Sequence, residues 1–245
     1  MNSILNKVLN EPGYSLGLAF SSDDLDVIKK LITEHLSRQL DAIDQDKAAL
    51  FRITPLNQYH TISAKIPHEK LLTRKARILS QEAVNFIRKT SLFEQIETKL
   101  GPVEISDEEQ IGRESISMRL VRPGIDTDIG SLHADHWFWE LYNFAVPRGK
   151  SRIKIWIAIC CEPGKSGLLL VPNSHQRDWE YSVIQRAGMS KPLINDGQNP
   201  RTWLFESSPG DAVIFNYKLL HGGALTQGKL TRVSIEFTLL IPNKI

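Results

Sequence analysis

Polar and apolar positions change rhythm partway along the chain. Over residues 21–46 the apolar positions are Leu25, Ile28, Leu31, Ile32, Leu36 and Leu40. Spacings of three and four place them on one face of a helix. Ser21, Ser22 and Asp23 offer caps for its start, and acids crowd its first turn, where the helix dipole favours them. A second helical region is predicted over about 68–100. It carries Leu71, Leu72, Ala76, Leu79, Ala83, Phe86, Ile87, Leu92 and Ile96, and Gly101-Pro102 stops it. After Ile111 the period drops to two. Residues 115–121 alternate polar and apolar. Residues 152–160 set Ile153, Ile155, Ile157 and Ile159 on one face and Arg152, Lys154, Trp156, Ala158 and Cys160 on the other. Further strand-length runs cover 168–171, 203–205, 212–217 and 231–241, most of them separated by Pro-Gly or Pro-Asn turns. Many short strands in such a chain predict a sandwich or barrel behind a helical lead-in.

The 245 residues hold 30 basic and 28 acidic side chains, a net charge of +2, with 41% apolar and 24% charged residues. This balance belongs to a globular protein. It excludes collagen, a long disordered chain, a disulfide scaffold and a coiled coil. The length suits one domain over 1–245, mainly helical to about 110 and mainly β from about 111. A charge so near zero argues against a general nucleic-acid binder. The longest strongly apolar run, residues 155–161, is far shorter than a membrane span needs. Cys160 and Cys161 are neighbours on one strand, so they point to opposite faces and do not pair. Residues 1–11 lack the apolar core of a signal peptide, so a reducing cytosol is expected. The acidic run Asp107-Glu108-Glu109 is expected to be a solvated turn.

The chain has seven histidines, and the informative one is His133 in Leu132-His133-Ala134-Asp135-His136. An imidazole and a carboxylate two residues apart can offer two adjacent ligands to one ion. A third ligand from elsewhere completes a two-histidine, one-carboxylate facial set, which leaves three open positions on octahedral Fe(II). His-x-Asp taken alone is a common accident, and a polar turn with a surface histidine is its plainer explanation. His136 is the other candidate ligand in that segment. His221 follows the run from Pro209-Gly210-Asp211 to Leu220 and precedes Gly222-Gly223. Arg232 then falls inside an apolar strand, where a guanidinium requires an anion. A carboxylate fits its fork, and Ser234 shares its face. A salt bridge to Glu236, or exposure on an edge strand, accounts for Arg232 equally well from the sequence alone.

Together these residues resemble the phytanoyl-CoA dioxygenase family of Fe(II)- and 2-oxoglutarate-dependent oxygenases. The resemblance is carried, in order, by His133-x-Asp135, by Trp156-Ile157-Ala158-Ile159 and by Gly167-Leu168-Leu169-Leu170-Val171-Pro172-Asn173-Ser174-His175. It continues through Pro209-Gly210-Asp211-Ala212-Val213-Ile214-Phe215, His221-Gly222 and Arg232-x-Ser234. It covers about residues 113–241. One departure is Asn173, where the family's turn usually has glycine; asparagine tolerates left-handed backbone angles next best. The resemblance implies a double-stranded β-helix, a jelly-roll, cupin-like core packed by α-helices. It further implies that His133 and Asp135 leave the second core strand, that His221 opens the seventh, and that the three bind Fe(II). Arg232, on the eighth strand, would hold the distal carboxylate of 2-oxoglutarate with Ser234. Dioxygen would be the oxidant, and a C–H bond of a small molecule would become an alcohol as 2-oxoglutarate becomes succinate and CO2. Halogenating relatives lack the metal carboxylate; Asp135 is present, so hydroxylation is expected.

Other side chains add expectations. Trp137, Phe138 and Trp139 follow the ligand pair, and Trp139 is a candidate substrate contact. Trp156 lines the pocket if the Arg152–Lys154 face turns inward. Arg119, flanked by Met118 and Leu120, is a candidate contact pointing into the barrel. Arg122, Arg148, Lys150, Arg152, Lys154 and Arg177 join it as a basic set that would draw an anionic substrate, unless they form a solvated edge. His175 is expected to pack a loop, and His35, His60 and His68 to sit at the surface or core edge of the helical half. The helices before Gly101 could cap the barrel or form the face of a homodimer. The rival reading is a cupin-like metal-binding or sensing protein without oxygenase activity. Such a protein has no use for a carboxylate fork at Arg232.

Overall fold

The computed structural model describes residues 3–186 and 189–243. Seven α-helices, four short 3-10 helices and eleven strands run along the described residues. The first half holds α1 (Ser3–Leu9), β1 (Tyr14–Ala19), α2 (Ser22–Asp41), α3 (Gln45–Ile53), α4 (His68–Leu71), α5 (Gln81–Ile87) and α6 (Ser91–Leu100). The second holds β2 (Glu104–Ile105), β3 (Ser117–Val121), α7 (Asp135–Leu141), β4 (Lys150–Cys160) and β5 (Leu168–Leu170). The hairpin β6 (Tyr181–Arg186) and β7 (Met189–Ile194) follows. The chain ends through β8 (Trp203–Phe205), β9 (Asp211–Asn216), β10 (His221–Gly223) and β11 (Arg232–Pro242).

The larger sheet has the order β1-β9-β4-β11-β2, with β3 also paired to β11, and every pairing is antiparallel. The smaller sheet is β10-β5-β8. The isoleucine face of β4 packs with Val233, Ile235 and Phe237 of β11 against Ile28, Ile32 and Leu36 of α2 and Leu92, Phe93 and Ile96 of α6. Each isoleucine gains about 1.5–3 kcal/mol on burial, and a one-residue slip would put Arg152 and Lys154 among the helices instead. The opposite face of β4 therefore turns toward the smaller sheet. There Trp156 and Ala158 meet Leu168, Leu170 and Phe205. This is the helix-backed jelly-roll arrangement expected from the sequence.

Several expected elements differ. The first helix ends at Asp41, because Asp44 begins a new one by accepting from the Lys47 amide at 3.1 Å. The expected helix over 68–100 is three helices. Ser80 and Thr90 each cap a fresh start, at Ala83 and Phe93. Between α4 and α5 the backbone leaves helix to join β3: Met118 N–H donates to Arg77 O at 2.9 Å, and Leu79 N–H to Ile116 O at 2.9 Å. The β6–β7 hairpin has no strong alternation and was not foreseen. Cys160 and Cys161 are free and lie in clusters on opposite sides of the sheet, but Cys160 joins the isoleucine face and not the Trp156 face expected for it, because the β4–β11 register shifts between Ala158 and Cys160. Burial pushes each thiol up to about 11. Asn173 does take up the left-handed conformation, at φ 65°, and starts the turn Ser174–Gln176. Among the described residues no helix is long and apolar enough to cross a membrane.

Candidate metal centre

His133 and His221 face each other across an antiparallel bridge, which extends the small sheet beyond β10. Asp135 does not continue that bridge. It is the first residue of α7, where a carboxylate suits the helix dipole. The two imidazoles have centroids 4.5 Å apart. One ligand atom from each of His133, Asp135 and His221 lies within 4.8 Å of the others. Each imidazole is oriented from behind. His133 Nδ1 meets Ser131 O at 2.6 Å, and His221 Nδ1 meets Leu219 O at 2.9 Å. A carbonyl can only accept, so both Nδ1 atoms carry the proton. Both Nε2 lone pairs are then free for a cation.

The charges agree with a site built for a cation. Burial holds both imidazoles at about 4, so they are neutral at neutral pH. Burial also pushes the Asp135 carboxyl up to about 6, with the Lys154 ammonium pulling the other way. Asp135 Oδ2 is buried and accepts no hydrogen bond; His221 Nε2 lies 3.6 Å away and Lys154 Nζ 3.9 Å away. A carboxylate with an orphaned oxygen, converging with two bare imidazole nitrogens, fits a divalent ion. His136 belongs to no such group among the described residues, and its ring lies 6.3 Å from that of Tyr217.

Four side chains on the inner face of β11 follow one another at period two: Arg232, Ser234, Glu236 and Thr238. Glu236 does not pair with Arg232. It accepts from Arg119 Nε at 3.2 Å across the β3–β11 pairing. Burial would raise its carboxyl, but Arg119 and then Lys154 outweigh it and hold the group at about 2. Arg232 is only 1% exposed. Its Nη1 donates to Gly167 O, its Nε has no partner, and no acid among the described residues pairs with it. Trp156 lies beneath, with its ring centre 5.9 Å from the guanidinium carbon. Gly223 makes room for Arg232, since a Cβ there would sit 3.2 Å from Nη2. A buried guanidinium with donors to spare fits an anionic ligand that the chain does not itself supply.

A cavity of about 1090 Å3 opens on His133 and Asp135. Arg119, Phe138, Trp139 and Glu236 border it, as do Ile184 and Leu193 of the hairpin. Trp139 Nε1 donates to Glu108 Oε1 at 2.6 Å, and its ring lies against Arg152 at 4.3 Å. Trp156 points inward, as the register requires, but it packs edge-on against Phe205 between the sheets, away from this cavity. Of the basic set, Arg119, Arg122 and Lys154 reach the cavity, and each faces an acid: Glu236, Asp128 and Glu108. Arg152 instead donates to the Phe144 and Ala145 carbonyls, while Arg148 and Arg177 are exposed.

The expectation for Asp107–Glu109 is corrected. Glu108 turns inward, where it accepts from Lys154 at 3.1 Å and from Thr238 at 2.7 Å. Burial alone would raise it, yet the Lys154 ammonium and the two neutral donors keep its carboxyl below its ordinary value. An acidic run reads as solvated only while no buried cation requires one of its members. Lys154, on the inward face of β4, was the available signal. His68 borders the cavity and lies 3.3 Å from Asp128. His35 is buried against Ala76 O at 2.7 Å, His60 bonds Thr231, and His175 packs against Gly13.

Known proteins resemble this chain mainly in fold. No curated protein matches it by sequence. The apo form of the non-heme monooxygenase ThoJ superposes with a TM-score of 0.60 at 9% identity, covering 98% of this chain and 78% of that one. EctD from S. alaskensis, solved with 2-oxoglutarate and 5-hydroxyectoine, gives 0.59 at 14% identity, covering 98% and 76%. The sequence profile of the phytanoyl-CoA dioxygenase family matches residues 23–232. With that match over most of its length, the chain belongs to the phytanoyl-CoA dioxygenase family of Fe(II)- and 2-oxoglutarate-dependent oxygenases.

Proposed function

We propose that the chain hydroxylates a C–H bond of a small molecule, with 2-oxoglutarate converted to succinate and CO2. One oxygen atom of O2 enters the product alcohol and the other enters succinate. The observation that carries this reading is the pairing of two unsatisfied features. The Asp135 carboxylate, one oxygen of it buried without a hydrogen bond, converges with the free ring nitrogens of His133 and His221, and the buried Arg232 guanidinium pairs with no acid among the described residues. A simple metal-binding protein needs the first and has no use for the second.

His133, Asp135 and His221 would hold Fe(II), and these three ligands would leave the ion accessible from the cavity. The bound iron supplies the oxidising chemistry, and the protein supplies orientation and a shielded pocket. Nδ1–H bonds to Ser131 and Leu219 keep both ligand rings in one tautomer. Arg232 would take the distal carboxylate of 2-oxoglutarate in a bidentate pair, and Ser234, on the same face, would donate its hydroxyl to it. Arg119 and Trp139 would touch substrate. The β6–β7 hairpin, through Ile184 and Leu193, would shield the reacting atoms from water.

The test is succinate formation from 2-oxoglutarate by purified protein with Fe(II), followed by mass spectrometry for substrates that gain one oxygen. Wild type should form succinate slowly without substrate, and Asp135→Ala and Arg232→Ala should each suppress it. Equal turnover in wild type and Arg232→Ala refutes the co-substrate role.

A further inference from the structure

Four guanidinium groups border the cavity: Arg74, Arg77, Arg119 and Arg122. Three face acids of their own, at Glu109, Glu236 and Asp128. Arg77 is the exception. Among the described residues no acid pairs with it, and its buried Nε has no hydrogen-bond partner. Nor is it on a loose loop. Its carbonyl is tied to the Met118 amide at 2.9 Å, and Ile78 bridges Ser117, so the segment continues the edge of the large sheet beside β3. Arg119 lies two residues along β3 from Ser117 and faces the same cavity. Burial, and then the Arg119 charge, push the Arg77 guanidinium down to about 10. The Glu236 and Glu109 carboxylates offset part of this, yet both are engaged by Arg119 and Arg74, and a buried guanidinium without an ion pair of its own is costly unless an anion joins it. One stretch of the cavity wall is aromatic, at Phe138, Trp139 and Tyr142.

We infer that the substrate carries an anionic group, a carboxylate, sulfate or phosphate, which docks on Arg77 with Arg119 as neighbour. The inference rests on the oxygenase reading above. The rest of the substrate lies along the aromatic wall toward the His133–Asp135 end. The helical lead-in, through the Arg77 segment, thereby becomes a specificity element of the β core. A planar guanidinium on a fixed backbone discriminates by geometry as well as charge, so lysine at this position should serve only partly.

The probe is inorganic sulfate, titrated calorimetrically into protein loaded with redox-inert Zn(II) and saturating 2-oxoglutarate, which fills the Arg232 position. Wild type should show saturable sulfate binding. Arg77→Gln should weaken it by about tenfold or more, and Arg77→Lys by less, the loss expected for a charge-assisted hydrogen bond. Arg148→Gln, an exposed site away from the cavity, should behave as wild type. Absence of saturable binding in wild type, or equal affinity in Arg77→Gln, overturns the assignment. A fall in 2-oxoglutarate affinity in Arg77→Gln as large as in Arg232→Gln also overturns it, because the anion would then be the co-substrate. In a second arm, matched carboxylates and methyl esters are screened for stimulation of 2-oxoglutarate consumption. Stimulation by the acid of a pair supports the proposal, and stimulation by esters alone refutes it. Failure of wild type to form succinate with Fe(II) would remove the oxygenase reading, whereas the sulfate titration decides the anion site independently.

Discussion

His133 and His221 exchange both of their backbone hydrogen bonds: His133 N–H donates to His221 O at 2.9 Å, and His221 N–H to His133 O at 2.8 Å. This reciprocal pair joins the segment before α7 to β10 and holds both rings on one side. A metal bound there would tie the two segments by side chains as well as backbone. Binding to the folded state alone stabilises it, by about 2.7 kcal/mol at a hundredfold excess over Kd. Zn(II) should therefore raise the thermal midpoint of the apoprotein, and Asp135→Ala should abolish most of that rise. A shift of the same size in Asp135→Ala would remove the carboxylate from the ligand set.

Arg232 is predicted to act on the co-substrate rather than on the metal. One lost charge-assisted pair is worth about 1.5–3 kcal/mol, or about tenfold to a hundredfold in affinity. Arg232→Gln should raise the KM for 2-oxoglutarate by that factor, and Ser234→Ala should raise it less. Zn(II) affinity measured without 2-oxoglutarate should change little in Ser234→Ala. A KM unchanged in Arg232→Gln would mean that another cation holds the distal carboxylate.

How far the sequence discloses this site depends on separation along the chain. The strands of the core were legible because isoleucines at period two on β4 leave one energetically acceptable register. The candidate metal set could be drawn from the sequence because His133 and Asp135 are local, and His221 is marked by the strand and the two glycines around it; the structure brings the three together. The fate of Arg232 was open, since Glu236 shares its face and could have neutralised it. Pairing with β3 settles that question by giving Glu236 to Arg119. Glu108 was misread for the complementary reason: its partners Lys154, Trp139 and Thr238 come from three distant elements. Arg77 was counted within a helix, because the backbone bonds that draw it out belong to β3.

Lys154 and Glu108 should behave as a unit. Lys154 is 5% exposed, and its ammonium lies 3.1 Å from a Glu108 oxygen and 3.9 Å from an Asp135 oxygen. Removing one partner of a buried pair leaves an uncompensated charge, at a cost of about 3–5 kcal/mol. Lys154→Met should approach that cost in urea denaturation. Lys154→Met with Glu108→Gln should recover part of it, giving a non-zero coupling energy. Strictly additive losses would show that the two groups do not depend on each other.

His35 makes the metal-free fold sensitive to acid. Burial lowers its pKa below the ordinary 6.5, and Arg38 and Arg113 repel the added charge, against the hydrogen bond to Ala76. Between the folded and unfolded values, the unfolded chain holds a proton on this imidazole that the folded chain does not. Stability therefore rises with pH across that window. The contribution is complete above about 6.5 and is lost as pH falls toward the folded value. His35→Gln keeps an amide able to donate to Ala76 O and removes the titration. The difference in unfolding free energy between wild type and His35→Gln should thus shift in favour of the variant as pH is lowered from 7 to 5. Parallel pH profiles for the two proteins would show that His35 titrates alike in the folded and unfolded states, contrary to its burial.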